Sequence, residues 1–396
     1  MSKEKKILPE LRFPEFANVG DWQEKPLDKL ANRVLDKNRD SAITSVFTNS
    51  AVHGIVDQRD FFDKDIANKS NLGNYYIVED GDYVYNPRIS NEAPVGPISK
   101  NNTGRIGVMS PLYTVFRFKN NENQFYEYYF ISQHWYTAIR KASNTGARFD
   151  RMSITDSVFM GIPVLFPSPQ EQQKIASCLS SLDELLEAHN DKLDALKYHK
   201  KGLMQNLFPQ EGETVPKVRF KEFENDGEWI KDELNNLCFN ISSGKDKNQD
   251  NGIFDLYGST GIIGKTENAS FDGDYILVAR VGANAGLLNR AVGQFGVTDN
   301  TLVVNLKEPD KIDFIFYSLD RIGLNKLVFG SGQPLVTGKQ LKELNIPFPT
   351  NPKEQQKIAF CLSALDELIN AQAEKIEQLQ QHKKGLMQGL FPKIES

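Results

Sequence analysis

Cysteine is scarce, with three residues in a chain of 396, so a disulfide framework is not expected. No apolar run approaches the roughly 20 residues of a membrane span. The opening stretch MSKEKKILPELRF carries charge without an apolar centre, which argues against a secretory signal. Histidine is also rare. The five residues are scattered, and no Ser/His/Asp or Cys/His set accompanies them. Basic excess is missing too: the net charge is −5 and the pI about 5.7. A basic patch would therefore have to be local rather than global. A soluble, cytoplasmic, non-catalytic protein is expected.

Nucleotide and metal signatures fail on spacing. GSTGIIGKT at 258–266 places five residues between Gly258 and Gly264, whereas a phosphate-wrapping loop needs four. The stretch VGANAG at 281–286 is too generic to imply a cofactor. No N-P-P-[FY] amino-methyltransferase motif occurs; Asn86-Pro87-Arg88 shares only its first two residues. Cys178 and Cys361 stand apart from other ligand types and read as small buried residues.

What the chain does have is a duplication. PQEQQKIASCLSSLDELLEAHNDKLDALKYHKKGLMQNLFP at 169–209 returns at 352–392 at a constant offset of 183, with about two thirds of positions identical. LRFPEFANVGDW at 11–22 returns as VRFKEFENDGEW at 218–229. Phe13, Phe16, Trp22 and their counterparts are expected to pack in cores. Between these markers the halves keep one order of elements. A Gly-Asp turn feeds an apolar run at 81–88 and again at 273–280. A loop and strand follow at 107–119 and 296–307, then aromatic helical segments at 125–139 and 313–327. The bodies have diverged where the long repeats have not. Basic residues gather in them: nine against four acidic in 88–151, and eight against six in 273–342.

Within each long repeat, Ile175, Leu179, Leu182, Leu186, His189, Leu193, Leu196, Lys200, Leu203 and Leu207 step by four and three. The second series runs from Ile358 to Leu390, with Gln372 and Lys383 at the matching gaps. Such a spacing is a coiled-coil seam, with prolines where each helix starts and stops. The natural partner of each seam is the other copy, and the connectivity favours an antiparallel pair. His189 and Gln372 would then lie near a pseudo-twofold axis. The outward residues Glu171, Gln172, Gln173, Lys174, Lys201 and Met204, with their copies Glu354, Gln355, Gln356, Lys357, Lys384 and Met387, are candidates for docking one partner twice.

These features together resemble the specificity subunit of a type I restriction-modification enzyme. The resemblance rests on Pro-x-Glu-Gln-Gln-Lys-Ile-Ala at 169–176 and 352–359, His-Lys-Lys-Gly-Leu-Met-Gln with Leu-Phe-Pro at both helix ends, Tyr-Gly-Ser-Thr-Gly at 257–261, and Arg-Val-Gly-Ala-Asn-Ala-Gly at 280–286. The first body departs from it, with Asn49-Ser50-Ala51-Val52-His53-Gly54 where the second has the Tyr-Gly-Ser-Thr-Gly turn. The implied fold is α+β: two mixed α/β target-recognition domains separated and joined by two long antiparallel coiled-coil helices. The expected boundaries are 1–166, 167–209, 210–349 and 350–396. The family implies that each domain reads half of a bipartite, asymmetric site on double-stranded DNA. It also implies two modification and two restriction subunits as partners. Those partners would use S-adenosylmethionine, ATP and Mg2+, with no cofactor or metal on this chain and no membrane.

Arginine suits guanine and asparagine suits adenine. Candidate readers are thus Arg88, Asn91, Arg105, Asn144, Arg148 and Arg151 in the first body. In the second they are Ser259, Thr260, Arg280, Asn284, Asn300 and Gln333. Lys100, Lys245 and Lys265 are candidates for phosphate, which positions without specifying. The alternative is a coiled-coil scaffold whose bodies bind proteins.

Overall fold

The computed structural model describes residues 7–61, 69–120, 124–143, 150–328 and 334–392. Asn144, Arg148 and Gln333 lie outside the described residues. The chain divides into two units, one formed by residues up to 188 together with 376 onward, the other by 189–375. Both mix helices and sheets, as the α+β expectation requires. No helix among the described residues is long and apolar enough to cross a membrane.

The first unit holds a four-stranded sheet in the order Ala31–Arg33, Thr114–Phe118, Tyr83–Tyr85, Ile98–Lys100. Its core is aromatic. Phe116, Phe125, Tyr126, Tyr129 and Trp135 are buried against it. The second unit holds a six-stranded sheet. Its order is Cys238–Ser243, Thr301–Leu306, Phe271–Ala279, Leu288–Val297, Phe254–Gly258, Gly261–Thr266. The strand from Phe271 runs into Ile276, Leu277, Val278 and Ala279, all buried. Such a run suits a strand covered on both faces. The stretch GSTGIIGKT is the tip and second strand of a hairpin, not a strand-to-helix loop.

One long helix spans Pro169–Asn206 and the other Pro352–Leu390. At about 1.5 Å per residue the first is roughly 57 Å long. Each starts at the expected proline and stops two or three residues before the terminal one.

The ends of the helices are core elements. In the first unit, Phe391 follows the second long helix and meets Trp22 (6.4 Å between ring centroids) and Phe125 (5.4 Å). In the second unit, Phe208 follows the first long helix and meets Trp229 (5.9 Å) and Phe314 (5.7 Å). These are the same three positions of the duplication. Trp22 and Trp229 are buried as expected, and so is Phe223. Phe13 and Phe16 are only half-buried.

Helix pairing is antiparallel within each unit. In the second, Lys200 Nζ lies 2.7 Å from Asp366 Oδ1, while Gln372 bonds His189 farther along. Tyr317 donates to Asp366 at 2.8 Å, and Lys200 sits over the Tyr317 ring. In the first, Lys383 pairs with Asp183, Tyr128 donates to Asp183 at 2.8 Å, and Lys383 sits over the Tyr128 ring. The lysines that interrupt the leucine seam thus neutralise an aspartate on the facing helix. Burial and the bond to aspartate push both tyrosine hydroxyls well above their ordinary pKa.

Candidate nucleic-acid interface

In the second unit the loops at one end of the six-stranded sheet converge. Ser259 and Thr260 form the tip of the hairpin that joins Phe254–Gly258 to Gly261–Thr266. Arg280 follows the last residue of Phe271–Ala279, and Asn300 precedes Thr301–Leu306. Arg280 N donates to Asn300 O at 2.9 Å, and Ser259 Oγ approaches the same oxygen at 3.4 Å. Gly244 N donates to Thr301 O, which brings the exposed Lys245 to this end as well. Asn284 is exposed on the adjoining turn. That turn needs glycine: Gly286 has φ +91°, and a Cβ there would sit 2.5 Å from Asn325 N. Lys265 is engaged elsewhere, 2.7 Å from Asp255.

Four further polar atoms at this end are buried without a partner among the described residues: Arg280 Nε, Asn289 Nδ2, Thr298 Oγ1 and Thr301 Oγ1. Register places Asn289 opposite Leu277 and Thr301 opposite Ala279. Unmade bonds in a buried place are costly.

In the first unit, Arg88 and Arg151 are brought together, and Asn91 lies on the turn that follows Arg88. Arg88 and Arg151 face each other across an antiparallel bridge. Ile89 N donates to Asp150 O and Met152 N to Pro87 O, both at 2.9 Å. Asn86 orients the segment, accepting from Arg88 N at 3.0 Å and donating to Asn49 O at 3.0 Å. Asn49 is itself buried and donates to Val84 O. Gly96 permits the fold-back: its φ is +82°, and a Cβ would meet Asn86 O at 2.0 Å. Lys100 and Arg105 lie on other segments and face acids, Lys100 near Glu127 (3.6 Å), Arg105 near Asp60 (3.2 Å) and Asp57 (3.6 Å).

The helix candidates need correction. Arg12 makes a two-pronged pair with Glu171 at 2.7 and 2.8 Å, and Arg219 makes the same pair with Glu354 at 2.8 and 2.7 Å. Glu171 and Glu354 are almost completely buried, and their bonds raise the pKa of both arginines. Gln172 and Gln355 are buried too, donating to Pro167 O and Pro349 O. Met204 lies in the core of the second unit. These five therefore present no outward face. Lys174 pairs with Glu15, and Lys357 with Glu222. Met387 is half-buried; Gln173, Gln356, Lys201 and Lys384 are exposed. Much of the recurrence of Glu-Gln-Gln-Lys is thus internal: it receives the Arg-Phe-x-Glu-Phe segment that recurs with it.

Among the described residues no group of three or more His, Cys, Asp or Glu could hold a metal ion.

The profile of the family described as "Type I restriction modification DNA specificity domain" matches this chain twice, at residues 20–198 and 207–381. The chain belongs to this family. Its specificity-domain relatives include the EcoprrI specificity subunit of Escherichia coli, 32% identical over 129 residues, or 33% of this chain and 32% of that protein. The MjaVIII specificity subunit of Methanocaldococcus jannaschii is 29% identical over 271 residues, 59% of this chain and 62% of that one. Both matches span less than two thirds of the relative. Among solved structures, the S subunit of a type I restriction-modification system from M. genitalium shares the fold at a TM-score of 0.62. The identity is 15%, over 98% of this chain and 100% of that one. A second, from a study of type I complex assembly, superposes at 0.51 over 94% of this chain and 97% of that one.

Proposed function

We propose that this chain is the non-catalytic DNA-recognition subunit of a type I restriction-modification complex. The observation that carries the reading is the double family match, one copy on each diverged body. Residues 1–166 and 210–349 are proposed as the two target-recognition domains, each reading one half of a bipartite, asymmetric site. Residues 167–209 and 350–396 are proposed as the helices that fix the spacing of those half-sites and seat the modification subunits. In the second domain the readers are Ser259, Thr260, Arg280, Asn284 and Asn300, with Lys245 on phosphate. In the first they are Arg88, Asn91 and Arg151. Supporting this, the second set gathers at one end of its sheet, and Arg88 and Arg151 of the first meet across a bridge.

Two modification and two restriction subunits would complete the complex. Methyl transfer from S-adenosylmethionine and ATP- and Mg2+-dependent work would belong to them. The negative net charge fits a chain that grips DNA as part of a larger clamp. The scaffold alternative is not favoured, since it gives no reason for a DNA specificity profile on both bodies.

Methylome sequencing of a host carrying this chain with its modification partner tests the reading. One bipartite, asymmetric methylated motif is expected. Absence of any such motif, with the complex present, overturns it. Exchanging residues 1–166 for those of another family member should change one half-site; a change in both would refute the two-reader assignment.

A further inference from the structure

One hairpin in each unit carries an exposed aliphatic side chain and is tied by hydrogen bonds to the segment bearing a candidate arginine. In the first unit the hairpin joins Phe47–Ser50 to Gly54–Asp57, and Val52 in its turn is 68% exposed. In the second it joins Phe254–Gly258 to Gly261–Thr266, and Ile262, the second residue of the returning strand, is 57% exposed. Each hairpin precedes the Gly-Asp turn of its body in the chain.

The ties differ in detail but reach the same place. Ser259 Oγ and Arg280 N both donate to Asn300 O, at 3.4 and 2.9 Å. Asn49, on the strand that leads to the Val52 turn, accepts from Asn86 at 3.0 Å, and Asn86 accepts from Arg88 N at 3.0 Å. The Val52 turn is itself held: Ser50 Oγ accepts from Val52 N and His53 N at 3.2 Å each. In the second unit the neighbouring Ile263 lies across Gly258, where a Cβ would meet its Cδ1 at 2.7 Å. Ile263 thus packs on the hairpin, and Ile262 is the aliphatic residue presented beside the tip.

A single exposed aliphatic residue is ordinary on a protein surface. Two of them, on hairpins at one place in the order of two diverged bodies and each fixed to an arginine segment, need another reason. Valine and isoleucine are branched at Cβ and hold few rotamers, so each is presented in a defined direction. Among the base edges in the major groove, the apolar group is the 5-methyl of thymine. Arginine reads guanine in the same groove.

We propose that Val52 and Ile262 each cover the 5-methyl group of a thymine in the half-site read by their own body, with the hairpin entering the major groove. This deepens the reading of the chain as a DNA-recognition subunit and rests on it. Each half-site then contains at least one A·T pair. Covering one methyl group favours thymine over deoxyuridine, which lacks it, by about fourfold.

Duplexes carrying the methylated motif, made with deoxyuridine in place of one thymine at a time, remove the methyl group and keep the base pair. Their binding to the complex of this chain with its modification subunit is read by competition. With the wild-type chain, a thymine in each half-site should show a loss of about fourfold. Ile262→Ser should abolish the loss in the second half-site alone, and Val52→Ser in the first alone. Both side chains are exposed, so thermal melting should be unchanged, and the wild-type scan decides the matter even if a variant fails to fold. A half-site without an A·T pair overturns the inference. So does wild-type binding that ignores deoxyuridine at every thymine, or a loss that survives both serine variants; in each case the recognition reading stands. If the wild-type complex selects no bipartite motif, the recognition reading falls and this inference with it.

Discussion

Gln372 Nε2 lies 2.7 Å from both the ring Nδ1 and the backbone oxygen of His189. These two residues are copies of one another, 183 positions apart. In an antiparallel pair, a residue meets its own copy only midway along the paired length, and this contact between copies lies within the second unit. The pair interrupts a leucine seam with a satisfied polar bond, a device that sets register at some cost in stability.

Replacing both residues by leucine should stabilise the chain by about 1 kcal/mol, through apolar burial without an orphaned partner. It should also loosen the register. Urea unfolding reads the first effect, and cross-linking between cysteines placed along the two helices reads the second. A double variant less stable than the wild type would refute the idea that this pair trades stability for register.

Arg219 and Glu354 are 7% and 1% exposed at the side chain. Arg219→Ala leaves a buried carboxylate unpaired and should cost about 3–5 kcal/mol. Replacing the pair by Met and Leu should recover most of that loss. The same holds for Arg12 and Glu171. Denaturant midpoints of the single and double variants decide the matter; additive losses would show that the residues do not act as a pair.

Arg280→Ala should relax the bases read in one half-site, by about 1–3 kcal/mol of discrimination, and leave the other half-site intact. Arg88→Ala should do the reverse. Lys245→Ala should weaken binding to all sequences alike and lower the salt slope by about one. Selection of bound DNA at two salt concentrations separates these outcomes. Loss of both half-sites from Arg280→Ala would contradict independent readers.

Gly286→Ala would force a side chain onto a backbone at φ +91° and against Asn325 N. The turn bearing Asn284 should shift, and recognition in the second half-site should fail before global folding does. A variant with unaltered recognition would remove Asn284 from the reading surface.

Burial pushes the Cys238 thiol up to about 12, against roughly 8.5 in an unfolded chain. The raised folded value means its contribution is complete below the unfolded pKa and is lost as pH rises toward the folded one. Stability should therefore fall between pH 8.5 and the folded pKa, less steeply in Cys238→Ala. Native Cys238 should resist alkylation across that range. Rapid labelling of the folded chain at pH 9 would count against a buried thiol.

The helices were legible because their seam is written in consecutive sevens, a local pattern that survives without knowledge of the bodies. The buried aromatic segments were legible for the same reason. The destination of Glu171 was not. Its partner Arg12 lies 159 residues away, and both belong to motifs that recur in full, so each looked like a separate signal. A joint reading of the two recurrences would have paired them. Asn289 was illegible for another reason. A polar residue at a strand start is ordinary, and only the fold reveals that its side-chain amide nitrogen is buried opposite Leu277. The turn residues Arg280 and Asn300 were found because glycine and asparagine mark turns in the sequence itself.

The second unit is one unbroken stretch, 189–375, whereas the first needs residues from both ends of the chain. The first unit, though its sequence begins earlier, draws Leu390 and Phe391 into its core and is complete only with the end of the second long helix. A premature stop only a few codons before Leu390 would thus unmake the part of the protein translated first.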